Sequence, residues 1–563
     1  MITPLEQWEG PIGATICIVG AGAAGIALAC ELDGCAIPVL LVEAGGLKPD
    51  AAATREMYRG TANEPHPNPS EYRRIGFGGT TGIWGGRCVP FDPIDFEKRD
   101  YIPDSGWPIS YEEVARHYPR AMDYCDAGAF DFSVAGSLPR AAQTIPGLTD
   151  TRVLLADRVE RYSLPTDFGR RYGQKLAASA NVRVLLNARC VRLNRAPGAG
   201  RIASIEIADR DGKRRTVEAQ VFVLATGGIE VPRLLLNSDR DGPGLGNSHD
   251  LLGRYYACHF ENTLGRLVAA RGPVAFDFEK TRDGVYCRRK LQFSAPAQRE
   301  HHLLNMAFRL HFPAYSDAAH GSPVLSAIFL AKSALIPEYQ AILQHGAQPA
   351  VVSPGGAHLR NVATGLPGLA RFAYQWLFLR TLARRKLPYT LVRNRDGSYP
   401  IEFNSEQTPL ASSRITLGEE TDRDGLRRVR VDWRFSADDA LAAQRAFLLL
   451  RDVLENGSAC RLEFDAEQLA ASIGRSVPLG GHHIGTARMG ATAREGVVDT
   501  NGALFELPNV FIASSAVFCT SSHANPTLTI VAMAVRLADH LKRTWGVDGS
   551  GARAPGAAAG GPR

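Results

Sequence analysis

Two short stretches, far apart in the chain, carry side chains suited to proton and hydride chemistry. Residues 481–490 (GHHIGTARMG) set His482 beside His483, and residues 517–529 (VFCTSSHANPTLT) set His523 two positions before Asn525. Imidazole titrates near neutrality, so it can take a hydroxyl proton while hydride leaves the same carbon. A carboxamide cannot act as a base, but its N–H can orient that hydroxyl and stabilise a developing alkoxide. Adjacent side chains on an extended segment point to opposite faces, so His482 and His483 are expected to have different roles.

The start of the chain supplies the scaffold for a second reactant. Residues 15–19 (TICIV) read as a buried strand, followed at once by Gly20, Ala21, Gly22, Ala23, Ala24 and Gly25. A helical pattern comes next (IALACELDG), with Gly34 as its stop, then an apolar run at 39–42 ending in Glu43. Glycines in this pattern let the backbone approach a pyrophosphate, and the helix N-terminus turns free N–H groups and a positive dipole end toward it. Glu43, 18 residues after Gly25, is placed to accept hydrogen bonds from an adenosine ribose, and its charge opposes a 2′-phosphate. The fingerprint indicates a dinucleotide without separating NAD from FAD. A second Gly-rich segment, residues 74–87 (RIGFGGTTGIWGGR), interleaves six glycines with Ile75, Phe77, Ile83 and Trp84, as for backbone packed against a flat ligand. Further on, Asp211-Gly212 marks a hairpin turn leading into a strand at 221–224 and then Ala225-Thr226-Gly227-Gly228. The run 429–435 alternates like a strand, and 438–454 reads as a helix.

Composition limits what these motifs can belong to. The 563 residues are 45% hydrophobic and 22% charged, which is ordinary globular usage and excludes a disordered or fibrous chain. A net charge of +6 over this length is no footprint for nucleic acid. Ten scattered cysteines without a C-x-x-C pair read as reduced, mostly buried thiols, with no metal site expected. No export signal and no apolar run of roughly 18 residues is visible, so a cytoplasmic protein without a membrane span is expected. Residues 369–387 (LARFAYQWLFLRTLARRKL) are apolar, aromatic and basic together. They read as a domain helix with a solvated basic end in preference to a membrane-surface helix. The Gly/Ala/Pro-rich stretch 546–563 reads as a disordered tail.

Six ordered blocks resemble the glucose–methanol–choline (GMC) family of FAD-dependent oxidoreductases: the N-terminal fingerprint with VEAG (42–45), GGTTGIWGGR (78–87), SGWPISYEE (105–113), FVLATGGIEVPRLLLNS (222–238), GHHIGTARMG (481–490) and HANPTLTIVAMAVRLADHL (523–541). The match is weakest over 130–175 and 260–400, where the substrate region is expected. The resemblance implies an α/β fold: a Rossmann-like FAD-binding domain interleaved with an α+β substrate domain built on an antiparallel sheet. The expected division is 12–130, 176–260 and 490–545 for FAD, against 131–175 and 261–489 for substrate. It further implies FAD contacts at Gly20, Gly22, Ala23, Ala24, Gly25, Glu43, Ala44, Gly79, Thr80, Trp84, Gly85, Val191, Ala225, Ser515, Ala516, Pro526 and Thr527. The helix after Pro526, a residue suited to a first turn, would turn its N–H groups toward the flavin N1–C2=O edge. Ile83 stands where covalent members carry a flavin-linked His, so non-covalent FAD is expected.

The family pattern selects His482 as base and Asn525 as its partner, leaving His259 (in YYACHFEN, 255–262), His483 and His523 as ordinary polar residues. The implied activity is oxidation of an alcohol, with a sugar, glycoside or polyol favoured, to a carbonyl by hydride transfer to flavin N5, with O₂ or another acceptor closing the cycle. Loops 58–72 and 300–320 are the candidate substrate contacts. The alternatives are a non-sugar alcohol, a redox-neutral flavin-bound relative such as a lyase, an NAD-linked dehydrogenase or a non-catalytic flavin-binding protein.

Overall fold

The structure, a computed structural model of the chain, describes residues 1–545 apart from 141, 149–151, 164–165, 197, 199, 240–241, 271–273, 332–351 and 395. The stretch 546–563 lies outside the described residues.

The apolar runs near the N-terminus form a parallel sheet. Its order is Ile2–Pro4, Val182–Leu186, Val39–Val42, Ile12–Val19, Arg214–Leu224 and Leu507–Ile512, all paired in parallel, with Ala503–Leu504 antiparallel at the edge. The expected hairpin is present: Ile202–Ala208 pairs antiparallel with Arg214–Leu224, and Gly212 turns it at φ 81°. Strand Ile12–Val19 delivers the chain to Gly20, at φ 103°, and helix Ala23–Leu32 follows. That helix is buried on almost every side, as its all-round apolar sequence requires, because it is packed between the sheet and the long helix Thr527–Trp545.

A second sheet is antiparallel throughout, in the order Cys460–Glu463, Phe260–Ala269, Ser398–Ser405, Met306–Leu310, Tyr286–Phe293, Leu154–Tyr162, Arg87–Cys88. Period-two alternation gives it two unlike faces. Phe260, Ile401, Phe403, Met306 and Phe308 pack on Phe447 and Leu450 of helix Ala437–Gly457. A capping box starts that helix, with Ser436 and Asp439 each accepting from the other's backbone N–H. The opposite face carries Glu160, Arg288, Lys290, Arg309, Glu402, Asn404 and Glu261. Arg87–Cys88, just after the second Gly-rich segment, is a strand of this sheet, whereas helix Phe168–Ala178 packs against the parallel one. We propose that each sheet is the heart of one domain, with the Arg87–Cys88 strand serving as a crossing point within the expected FAD segment 12–130.

The 369–387 stretch departs from its expected role. Helix Leu366–Tyr374 runs into a π-helical segment, Gln375–Thr381, and neither buries a residue. Leu379 packs, half-buried, against the small cluster of Tyr162, Tyr286 and Leu387.

Gly25 is where the first turn of helix Ala23–Leu32 meets the loop: a Cβ there would stand 1.9 Å from the Gly20 carbonyl oxygen. Backbone cannot swing aside, so Gly25→Ala is expected to lower the unfolding free energy by about 3 kcal/mol. Urea unfolding checks this, and an unchanged midpoint contradicts the packing.

Candidate active site

Where the parallel strands end, a cavity of about 1420 Å³, counting its open mouth, runs between the two sheets' connecting segments. Gly20, Gly22, Ala23, Ala24, Glu43, Ala44, Gly79, Thr80, Trp84, Ala225, Ser515, Pro526 and Thr527 line it. So do Tyr58, Tyr72, Arg73, Arg74 and Arg189.

The Glu43 carboxylate is already engaged, which differs from the simple ribose acceptor expected. Its Oε1 accepts from Gly45 N and Gly76 N, and its Oε2 from Ala21 N, each at 2.9 Å. A carboxylate has about four acceptor sites. Three hold the Gly-rich loops together, and one remains for a ligand in the cavity that Glu43 lines. Two buried atoms at the wall have no partner among the described residues: Thr226 Oγ1 and Arg189 Nε. Trp84 is fixed by its indole N–H, which donates to the Thr166 carbonyl at 2.8 Å.

At the cavity's inner end, segments 481–483 and 525–527 converge. Gly481, His483, Pro526 and Thr527 line the cavity, and between them Asn525 Nδ2 lies 3.0 Å from His482 Nε2. As expected for an extended segment, His483 turns the other way: its Nε2–H donates to Gly480 O at 2.7 Å and its ring stacks on Tyr256. The Ser515 hydroxyl holds this segment by donating to the His483 carbonyl at 2.6 Å.

A third imidazole completes the cluster. His259 lies with its Nδ1 2.8 Å from His482 Nδ1 and its Nε2 2.9 Å from the Ser521 carbonyl oxygen. A carbonyl only accepts, so His259 Nε2 carries a proton. Burial pushes His259 down to about 3, so the ring is neutral and its Nδ1 is bare. His482 Nδ1 must then donate to it. Burial first, then His259 and Arg87, hold His482 well below the usual imidazole range, so it too is neutral. Its remaining nitrogen, Nε2, is a lone pair that accepts the Asn525 amide N–H. Donor chemistry thus assigns both tautomers and leaves one basic nitrogen, facing the Asn525 amide, beside residues that line the cavity.

Comparison with known proteins follows this geometry. Residues 409–534 match the family model described as GMC oxidoreductase. The chain is 24% identical to a 2-methyl-1,2-propanediol dehydrogenase of Mycolicibacterium austroafricanum, with 87% of each chain covered. It is 23% identical to a paromamine 6'-oxidase of Streptomyces fradiae, over 93% of this chain and 90% of that protein. Residues 409–534 thus carry the C-terminal domain of a GMC oxidoreductase, and the chain is similar to these oxidoreductases along most of its length. Among solved structures, an FAD-dependent oxidoreductase from Chaetomium thermophilum shares the fold at TM-score 0.52 and 15% identity, over 94% of this chain and 99% of that one. An Aspergillus oryzae formate oxidase does so at TM-score 0.50 and 15% identity, over 95% and 99%.

FAD is the cofactor, and the cavity suits it in its three arginines and in its unsatisfied Thr226 hydroxyl. Four residues expected to touch FAD do not line the cavity: Gly25, Gly85, Val191 and Ala516. Gly25 is packed behind Gly20, and residues 188–190 line the wall in place of Val191. Of the candidate substrate loops, Tyr58 and Tyr72 reach the cavity, while 300–320 does not. His523 is fully buried, with Lys290 Nζ donating to its Nε2 at 2.9 Å and Asp92 Oδ2 at 3.4 Å. His259 went unrecognised in the sequence because its partner is 223 residues away. Its one local signal is position: it stands two residues before Glu261, so the alternation that turns Glu261 to the polar sheet face carries His259 the same way.

If His259 sets the His482 tautomer, His259→Leu should slow anaerobic flavin reduction about 100-fold while FAD content stays unchanged. His259→Gln, which keeps an acceptor, should recover a large part of that loss. Equal rates in the Leu and Gln variants contradict the tautomer role.

Proposed function

We propose that this protein oxidises an alcohol, with a sugar, glycoside or related polyol as its substrate class, to a carbonyl, and that His482 is the base. The carrying observation is the bare Nε2 of His482, held 3.0 Å from the Asn525 amide. A substrate hydroxyl entering between them accepts from Asn525 and donates to Nε2. As that proton moves, His482 becomes an imidazolium whose Nδ1–H remains bonded to His259. Asn525 keeps its N–H on the substrate oxygen while negative charge develops there. FAD, when bound, accepts the hydride and passes the electrons to O₂ or another acceptor.

The polar sheet face supports the substrate class. Arg309 grips Glu160 from two nitrogens at 2.7–2.9 Å, and Arg87 stands 3.6 Å from the same carboxylate. Asn404 Nδ2 donates to Glu261 at 3.2 Å, and Glu402 lies 3.7 Å from both Arg288 and Arg309. A wall of donors and acceptors suits a polyhydroxylated molecule better than an apolar alcohol. The names of relatives such as paromamine 6'-oxidase and a fructose dehydrogenase large subunit point the same way. We further propose non-covalent FAD, supported by Ile83, which has no nucleophilic atom. A cytoplasmic location is supported by ten cysteines without a disulfide. No helix among the described residues is long and apolar enough to cross a membrane.

Anaerobic mixing with sugars, glycosides and simple alcohols, followed by admission of air, tests the reaction. Flavin bleaching by a polyol is expected, and bleaching by none of the panel rejects the reading. His482→Ala should retain FAD yet slow bleaching at least about 100-fold. Acid precipitation should leave the flavin in solution; flavin in the pellet rejects non-covalent binding.

The pH profile has a definite sign. His482 titrates below its ordinary value, so its lone pair is present above that point and is lost only as pH falls through it. The bleaching rate is therefore expected to be level from about pH 8 to about pH 6. Burial and Glu402 raise Glu261 to about 7, so a step there belongs to that carboxyl if Glu261→Gln removes it. A fall near pH 6.5 that survives this substitution contradicts the assignment.

A further inference from the structure

The segment that buries nothing is also the segment with the least ordinary surface. Thirteen large apolar side chains are exposed among the described residues, and nine of them lie between Leu330 and Leu382. Exposure runs from 38% at Trp376 to 65% at Leu382. A surface helix of a globular protein normally buries one apolar stripe; Leu366–Tyr374 and Gln375–Thr381 bury none.

The charge pattern is as one-sided as the hydropathy. Between Val352 and Lys386 there are six cationic side chains and no Asp or Glu. Arg380 and Arg385 are engaged, on the Leu387 carbonyl and on Asp126. Arg360, Arg371, Arg384 and Lys386 make no ion pair with a described carboxylate. The platform is anchored at both ends. His358, fully buried, stacks on Phe329 at 4.0 Å between centroids, and Leu379 packs with Leu387 beside Tyr162.

We propose that residues 352–386 form a docking surface for an anionic phospholipid bilayer, lying on the membrane without crossing it. Trp, Tyr, Phe and Leu side chains enter the headgroup boundary while the arginines and lysine meet lipid phosphates. A second copy of this chain is the poorer occupant, since it would set six cations against six. An acidic protein could satisfy the charges and is the alternative that the experiment separates.

The experiment is co-sedimentation of the FAD-loaded enzyme with phosphatidylcholine vesicles, with and without phosphatidylglycerol. The enzyme should pellet only with the anionic vesicles and be released by high salt. Phe378→Asp with Leu382→Asp should weaken binding at least about tenfold, with flavin bleaching unchanged. Arg371→Gln with Arg384→Gln and Lys386→Gln should do the same, and stands in if the first variant does not fold. Three results overturn the proposal: enzyme remaining in the supernatant with anionic vesicles, both variants binding like the parent, or a solution dimer that the Phe378/Leu382 variant splits while the parent ignores vesicles.

Discussion

A hydrogen bond between two buried imidazoles orders the active site. It forms because the Ser521 carbonyl takes the single ring proton of His259, on Nε2, and leaves Nδ1 as an acceptor. The same loop delivers Asn525 to His482 four residues later. Ser522 stands between these two duties at φ 54°, an uncommon conformation for a non-glycine residue, with its hydroxyl accepting from Ala524 N at 3.3 Å. One tight turn therefore points a carbonyl at one ring and a carboxamide at the next. Moving that turn would cost both the tautomer and the carboxamide contact, so the geometry is set by backbone more than by the two side chains.

The charged sheet face explains how a neutral imidazole survives among so many ions. Arg309 and Glu160 are each less than 2% exposed, and such a pair is tolerable only when both ends are well bonded. Here Glu160 answers Arg309 and Arg87 together, and burial notwithstanding, those cations hold its carboxyl well below the usual range. The cationic side of this lattice also opposes a positive charge on His482. Low basicity at rest keeps the lone pair free, and the bare His259 Nδ1 gives the proton's arrival a local partner. Resting readiness and transient acceptance thus come from different neighbours, which lets each be strong.

Much of this was legible in the sequence, for reasons tied to distance along the chain. The strand, Gly20–Gly25 turn, helix and second strand are local, and their glycines are needed where backbone touches backbone, so spacing alone located them. His482 and Asn525 were legible through their motifs. Glu43 lines the cavity, but its engagement with three backbone N–H groups was not legible, because two of the donors belong to loops brought in by tertiary packing. His259 was invisible for the same reason: nothing near YYACHFEN records that a histidine from 223 residues away will face it. Val191 and Gly85 illustrate the reverse problem, since backbone contacts leave little trace in residue type.

The helix at 366–381 shows a different limit. Apolar periodicity reports which side of a helix avoids water, and it is silent on what stands opposite. In Ala437–Gly457 the opposite body is the chain's own sheet, where Phe447 meets Phe308 and Phe403 edge-on. Leu366–Tyr374 has helix Pro323–Ala331 beside it, yet none of its residues is buried there. Yet the segment is not remote from the chemistry: it leads through Leu387 to Tyr389, whose hydroxyl accepts from Arg288 at 2.5 Å on the polar sheet face. A contact that ordered the platform would therefore act on a loop bonded directly to the polar sheet face. A helix that buries none of its own residues thus stands one short loop from the ion-paired sheet face.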